Sequence, residues 1–333
     1  MDKIHTNRRR IMAAAAAAAG TSLIGLPTWA KPGYPSKPVR FIVPFNPGGA
    51  TDIVARVLGE AMAKKLGQPV IVENKAGASA MLGTDLVAKS APDGYNVVLS
   101  LSTSLLINQF LYTKMAYNLQ KDLLMLSEIA SAPVTLVVHP SVPANNMKEL
   151  LAWVKKNKGK VSYGSWGVGS YAHLGGAYMS KTMDADMSHV AYKGEAPMIQ
   201  ELIGGQLQLC FSSAQNTRPF IESGRLKAIG VTGKSRMAVL PNLPSIYEQG
   251  VTDDAYAITG FVGMAVAAGT PKDVVDTLYA ALKEASQDPK VRERIDGAGF
   301  LPVFSTPEEF ARSYAKAAPV WKSLIEVAEA KVD

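Results

Sequence analysis

The chain has 333 residues, with 35 Lys and Arg against 28 Asp and Glu and a formal net charge of +7. Residues 1–30 hold four of the basic residues and one acidic one, so the remainder carries only +4, with no dense basic block and no interleaved aromatics, which excludes a nucleic-acid binder. Cys210 is the single cysteine, so an internal disulfide and a thiolate metal cluster are excluded, and its apolar surroundings predict a buried, inert thiol.

The first element in chain order is an export signal. Asn7-Arg8-Arg9-Arg10-Ile11-Met12 sets an arginine pair before the alanine-rich run Ile11–Leu26, and Thr28-Trp29-Ala30 offers a small-residue cleavage site before Lys31. The arginine pair and the mild apolar run indicate the twin-arginine route and a periplasmic location. The run is too short and too alanine-rich to span a bilayer comfortably.

Strands and helices then alternate. Val39–Pro44 reads as a strand, Asp52–Lys65 as a helix, Val70–Glu73 as a strand, Met81–Lys89 as a helix, Asn96–Leu101 as a strand and Leu105–Leu111 as a helix. The pattern restarts after Ile129–Val138, with helices at Met147–Lys156, Tyr171–Lys181, Ala196–Ile203 and Pro219–Ser223. The strands between them are Val161–Tyr163, His189–Tyr192, Leu207–Phe211 and Ala228–Val231. Such alternation predicts an α/β protein of parallel sheets covered by helices. Two long apolar segments, Ile129–Val138 and Ala257–Ala267, bracket the central block and read as strands crossing between two doubly wound domains. The helical stretches Lys272–Ser286 and Pro307–Ala328, opened by Thr270-Pro271 and Thr306-Pro307, pack back on the first domain in this reading. The predicted organisation is a signal over 1–30, domain 1 over 31–134 plus 258–333, domain 2 over 135–257, and a cleft between the domains.

Two glycine loops carry the chemistry. Pro44-Phe45-Asn46-Pro47-Gly48-Gly49-Ala50-Thr51-Asp52 follows a strand and opens a helix, where glycine lets the backbone approach a ligand and free N–H groups favour an anion. Thr51 adds a hydroxyl, and Asp52 has the alternative role of helix cap. Gly164-Ser165-Trp166-Gly167-Val168-Gly169-Ser170-Tyr171 repeats the arrangement in the other domain, with Ser165 and Ser170 as donors and Trp166 and Tyr171 as apolar walls. Carboxyl ends of strands form the binding edge of open α/β sheets. Ser79, Ser104 and Lys193 also follow strands and are minor candidates.

The chain resembles the extracytoplasmic solute receptors of the tripartite tricarboxylate transporter system, the Bug family. The residues that carry the likeness are Val43–Asp52, Asn74-Lys75-Ala76-Gly77, Pro92-Asp93-Gly94-Tyr95, Gly164–Ser170 with His173-Leu174, Tyr192-Lys193-Gly194 and Gly269-Thr270-Pro271. The resemblance implies a two-lobed periplasmic binding protein, type II-like. It implies capture of a small carboxylate without chemistry, no cofactor and no metal, and delivery to membrane permease subunits or to a sensor protein. Carried over, the ligand contacts are Phe45, Asn46, Gly48, Ala50, Thr51 and Asp52 on one side, with Ser165, Gly169, Ser170 and His173 on the other. Family members commonly place an acid just after the strand that here ends at Phe211, and Ser212-Ser213-Ala214-Gln215 stand there instead. Neutral donors such as Ser213 suit a second carboxylate, which points to a dicarboxylate without an amine, an aromatic one such as terephthalate, or a tricarboxylate such as citrate. Glu195 either sits at the rim or replaces the missing acid.

The rival reading is an exported dinucleotide-dependent oxidoreductase, because Gly167-Val168-Gly169-Ser170-Tyr171-Ala172 partly matches G-x-G-x-x-G/A. No acidic residue ends the following strand to hold a ribose. Hydrolytic chemistry lacks the nucleophile-elbow pattern, and His139, His173 and His189 have no metal-ligand spacing.

Overall fold

The computed structural model describes residues 33–333, and Lys37–Asp333 form one compact unit. The export signal lies outside the described residues. In order, the elements are β1 (Val39–Val43), α1 (Ala50–Leu66), β2 (Val70–Asn74), α2 (Met81–Ala88), β3 (Asn96–Leu101), a π-helical turn (Thr103–Ile107), α3 (Asn108–Leu111) and α4 (Leu119–Asp122). Then come β4 (Leu123–Ala132), β5 (Thr135–Val138), α5 (Met147–Lys156), β6 (Ser162–Ser165), α6 (Tyr171–Thr182), β7 (Ser188–Ala191), α7 (Glu195–Ile203), β8 (Leu209–Ser212), α8 (Ala214–Glu222) and β9 (Lys227–Val231). The chain finishes with α9 (Asp254–Ala257), β10 (Gly260–Ala267), α10 (Lys272–Ala285), α11 (Pro289–Gly297), β11 (Leu301–Pro302) and α12 (Pro307–Val327).

Two sheets organise them, in the order β11-β4-β10-β3-β1-β2 and β7-β6-β8-β5-β9. The fold is the two-lobed α/β architecture expected, but neither sheet is purely parallel. β1 pairs in parallel with β2 and β3, and β6 with β7 and β8, whereas β10 and β5 run antiparallel to every strand beside them. Those two strands are the ones that enter from the other lobe, so their direction is set by the link and not by a βαβ crossover.

The first crossing is not one continuous strand. It breaks at Pro133 and Val134, with β4 in one sheet and β5 in the other. Proline has no N–H for a ladder, so pairing stops there. Val134 then extends the pairing of β5 with β9 by one step: Val134 N–H donates to Thr232 Oγ1 at 3.0 Å, and Thr232 N–H donates to the Val134 carbonyl at 2.9 Å. The second crossing strand starts at Gly260, after the short α9.

The tail helices obey local rules only in part. Thr306 caps α12 through a capping box with Glu309, and Pro307 takes the first turn. Thr270 instead bonds back to the Ala267 carbonyl, leaving α10 without a side-chain cap. Helix α12 packs back on the first sheet, as the sequence reading expects, and also reaches further. Its Phe310 packs edge-on to Phe261 of β10, while its Trp321 packs edge-on to Tyr171 of α6, so one helix touches both lobes. Phe310, Trp321, Tyr171 and Phe211 accordingly belong to a single buried cluster.

Candidate functional site

A cavity of about 430 Å³ lies where the carboxyl ends of β1, β3, β6 and β8 converge. Strand ends of both sheets feed it, which is the placement that open α/β sheets favour for ligands. Phe45, Leu101, Ile107, Trp166, Tyr171, Phe300 and Trp321 supply apolar wall. Ser102, Thr103, Ser213, Gln215, Asn216, Thr232 and Glu195 supply polar side chains.

The loop after β1 is built around Asp52, whose side chain is 3% exposed. One carboxylate oxygen accepts from Gly48 N–H and Arg56 Nε, both at 2.9 Å. The other accepts from Arg56 at 3.0 Å and from Asn74 Nδ2 at 2.9 Å, and the same Asn74 amide bonds the Phe45 carbonyl. Burial opposes ionisation of Asp52, but the hydrogen bonds from Arg56, Gly48 and Asn74 outweigh it and hold the carboxyl below its usual range. Asp52 therefore clamps the loop and faces away from the cavity. Gly48, at φ +82°, makes the turn that only glycine adopts freely. Gly49 precedes the helix without a side-chain cap, and the amides of Ala50 and Thr51 have no acceptor among the described residues.

The second loop is braced from behind by histidines. Ser165 is fully buried. Its Oγ contacts His189 Nε2 at 2.7 Å and accepts from Gly167 N–H at 3.3 Å. His173 stacks on His189 with centroids 4.1 Å apart, and its Nδ1 accepts from Gly169 N–H at 3.2 Å. Burial, reinforced by the neighbouring His189, pushes the His173 pKa down to about 4, so it stands as a neutral acceptor. Ser170 caps α6 by accepting from His173 N–H, and the Tyr171 amide has no acceptor among the described residues. Helices α1 and α6 thus both present free first-turn amides at the cavity wall, an arrangement suited to an anion.

Of the residues predicted from sequence, Phe45, Ala50, Thr51, Gly169, Ser170 and Ser213 line this cavity. The others do not, for identifiable reasons. Asn46 and Gly48 are exposed and contribute no wall to it. Asp52, Ser165 and His173 are spent on internal bracing. Ser104 is buried behind the wall, bonded to Ser100 and Thr84, while its neighbours Ser102 and Thr103 face the cavity. Ser79 bonds the Tyr112 hydroxyl at an exposed turn, and Lys193 is exposed. Cys210 is fully buried, as expected, and burial lifts its thiol pKa.

Glu195 corrects the second-carboxylate argument. Its Oε2 accepts from Ser212 Oγ and Ser213 Oγ, both at 2.6 Å, from Ser213 N–H at 3.1 Å and from Asn216 Nδ2 at 2.8 Å. The neutral donors after β8 therefore already serve a carboxylate of the protein. Sequence reasoning missed Pro133, Val134, Thr232, Gly260, Gly299 and Trp321, which reach the cavity from the break between β4 and β5, the end of β9, the start of β10 and the tail. No local pattern marks them, since only the topology brings them there.

A family profile described as the tripartite tricarboxylate transporter family receptor matches residues 54–329. The chain belongs to this family. Protein BugT of Bordetella pertussis is 31% identical over 98% of this receptor and 99% of its own length. The periplasmic binding protein BugD is 35% identical, with a TM-score of 0.73 over 90% of the receptor and 99% of that chain. The R. palustris protein Rpa4515, solved with adipate, is 26% identical, with a TM-score of 0.77 over 90% of the receptor and 100% of that chain. The glycine pair at Gly167 and Gly169, which prompted the dinucleotide reading, is thus a loop of a solute receptor. No helix among the described residues is long and apolar enough to cross a membrane.

Proposed function

We propose that this receptor captures a small organic acid in the cleft, carries out no chemistry on it, and delivers it to the permease subunits of a tripartite tricarboxylate transporter. The observation that carries the reading is the pair of free helix N-termini, at Ala50–Thr51 and at Tyr171, on one cavity wall. Each first turn offers unpaired N–H groups and the positive end of a helix dipole. The carboxylate of the ligand sits between them, with Ser170, Thr51 and Thr103 as further donors. Phe45, Trp166 and Tyr171 enclose a flat or apolar body, which favours an aromatic acid over citrate. Terephthalate keeps the aromatic body but loses its main support, because Ser213 is engaged with Glu195.

The lobes in this reading are 31–134 with 258–333, and 135–257, which the membership of the two sheets supports. Ligand contacts with both lobes favour the closed form, and differential affinity for that form drives closure. Export by the twin-arginine route and docking on a sensor protein are further parts of the proposal.

Thermal shift with a panel of small acids tests it. A ligand at one hundred times its Kd stabilises by about 2.7 kcal/mol, which raises the melting temperature by roughly 5 °C in a protein of this size. A shift with a nicotinamide dinucleotide, and none with any acid, refutes the reading in favour of the oxidoreductase.

A further inference from the structure

Glu195 is the one charged side chain among the described residues lining the cavity. A receptor for an anion therefore places an anion of its own in the binding chamber. The carboxylate is held at the start of α7 by the turn between β8 and α8, and all four of its hydrogen bonds converge on Oε2. Among the described residues no hydrogen bond reaches Oε1. The group is thus fixed in place by half of its acceptor capacity, with no Lys, Arg or His beside it on the cavity wall. A carboxylate arranged this way accepts a proton donor well and repels a second negative charge.

We propose that Glu195 is the specificity-determining residue of the cavity. It accepts a hydrogen bond through Oε1 from a donor group on the ligand, an ammonium or a hydroxyl, at the end remote from the ligand carboxylate, and it discriminates against a second carboxylate there. The proposal rests on the carboxylate-receptor reading and narrows it to donor-bearing monocarboxylates. The amides of α1 and α6 hold the anionic end, Glu195 the donor end, and the aromatic walls the body between them.

Two matched series test it by calorimetry on wild type and Glu195→Gln at pH 7.5. One series is 4-(aminomethyl)benzoate, 4-hydroxybenzoate and terephthalate. The other is 6-aminohexanoate, 6-hydroxyhexanoate and adipate. In wild type, a donor-bearing acid binds about tenfold or more tighter than its matched dicarboxylate, the scale of one charge-assisted hydrogen bond. The amino and hydroxy arms show which donor is preferred. Glu195→Gln keeps an acceptor oxygen for the turn after β8, stays folded, and reduces the ratio to about threefold or less. A dicarboxylate that binds wild type as tightly as its donor-bearing partner overturns the proposal while leaving the carboxylate reading intact. So does an unchanged ratio in folded Glu195→Gln, since a merely structural tie moves the melting temperature and not the preference. If neither protein binds any of the six acids, the carboxylate reading itself falls, and this proposal with it.

Discussion

Gly48 and Gly169 offer a matched pair of perturbations. Their φ angles are +82° and +78°, so an alanine at either costs about 1–2 kcal/mol of backbone strain. They differ in their surroundings. A Cβ on Gly48 meets nothing within 4 Å, whereas one on Gly169 runs into both Cδ atoms of Leu111 and lies 3.1 Å from its Cγ. Leu111 is 4% exposed and ends α3, on the other lobe, so it has little room to retreat. Overpacking of this kind adds about 1–3 kcal/mol. Urea unfolding should therefore show Gly48→Ala losing about 1–2 kcal/mol and Gly169→Ala about 2–5 kcal/mol. Gly169→Ala should also weaken ligand binding by calorimetry, because the displaced loop carries Ser170 and the first turn of α6 away from α1. Equal destabilisation of the two variants, within about 0.5 kcal/mol, refutes the reasoning, since both carry the left-handed strain and only Gly169 meets a side chain across the cleft.

Asp52→Asn should cost about 1–3 kcal/mol by urea unfolding and weaken ligand binding, because the amide keeps one acceptor oxygen but loses the charge opposite Arg56 and turns an NH2 toward the remaining Arg56 and Asn74 donors. Since the folded Asp52 pKa is depressed, its contribution is full above the ordinary carboxylate range and is lost as pH falls through the folded value; a wild-type acid limb no steeper than that of the Asn variant sinks this. His173 is likewise depressed, to about 4, so the unfolded chain takes up its proton first and stability drains away as pH falls from about 6.5 towards 4, by at most about 3 kcal/mol. His173→Asn keeps an acceptor for Gly169 N–H and should flatten that slope in a pH series of melting temperatures. Trp321→Phe removes an indole N–H that is buried without an acceptor among the described residues but leaves a void in the packed cluster, so urea unfolding should show a loss of about 1–3 kcal/mol; an unchanged stability would mean that the cluster closes over the void.

The local grammar of the chain was readable where one segment decides its own conformation. Met147–Lys156 is a helix with the bounds read from sequence, and Thr306-Pro307 opens α12 as its cap signal implies. Both glycine loops flank the cavity, because a strand end followed by glycines and a helix start is a local motif. Side-chain direction was not readable. Ser102, Thr103 and Ser104 are adjacent, yet the π-helical turn rotates the third behind the wall. Asp52 and His173 are donor-holding braces rather than cavity residues, which depends on Arg56, Asn74 and His189 arriving from elsewhere. Glu195 looked ambiguous because its partners, Ser212, Ser213 and Asn216, lie on the next strand and helix. The apolar pattern predicts one helix over Leu105–Leu111, whereas the segment divides into a π-helical turn and a short α-helix.

The reciprocal bonds between Val134 and Thr232 have a mechanical consequence. They tie the first connector to the second sheet just past β9, so peeling that connector away ruptures both bonds at about 1 kcal/mol each. Both residues also border the chamber, so the segment that joins the two sheets is itself part of the chamber wall, and anything held there would rest against it.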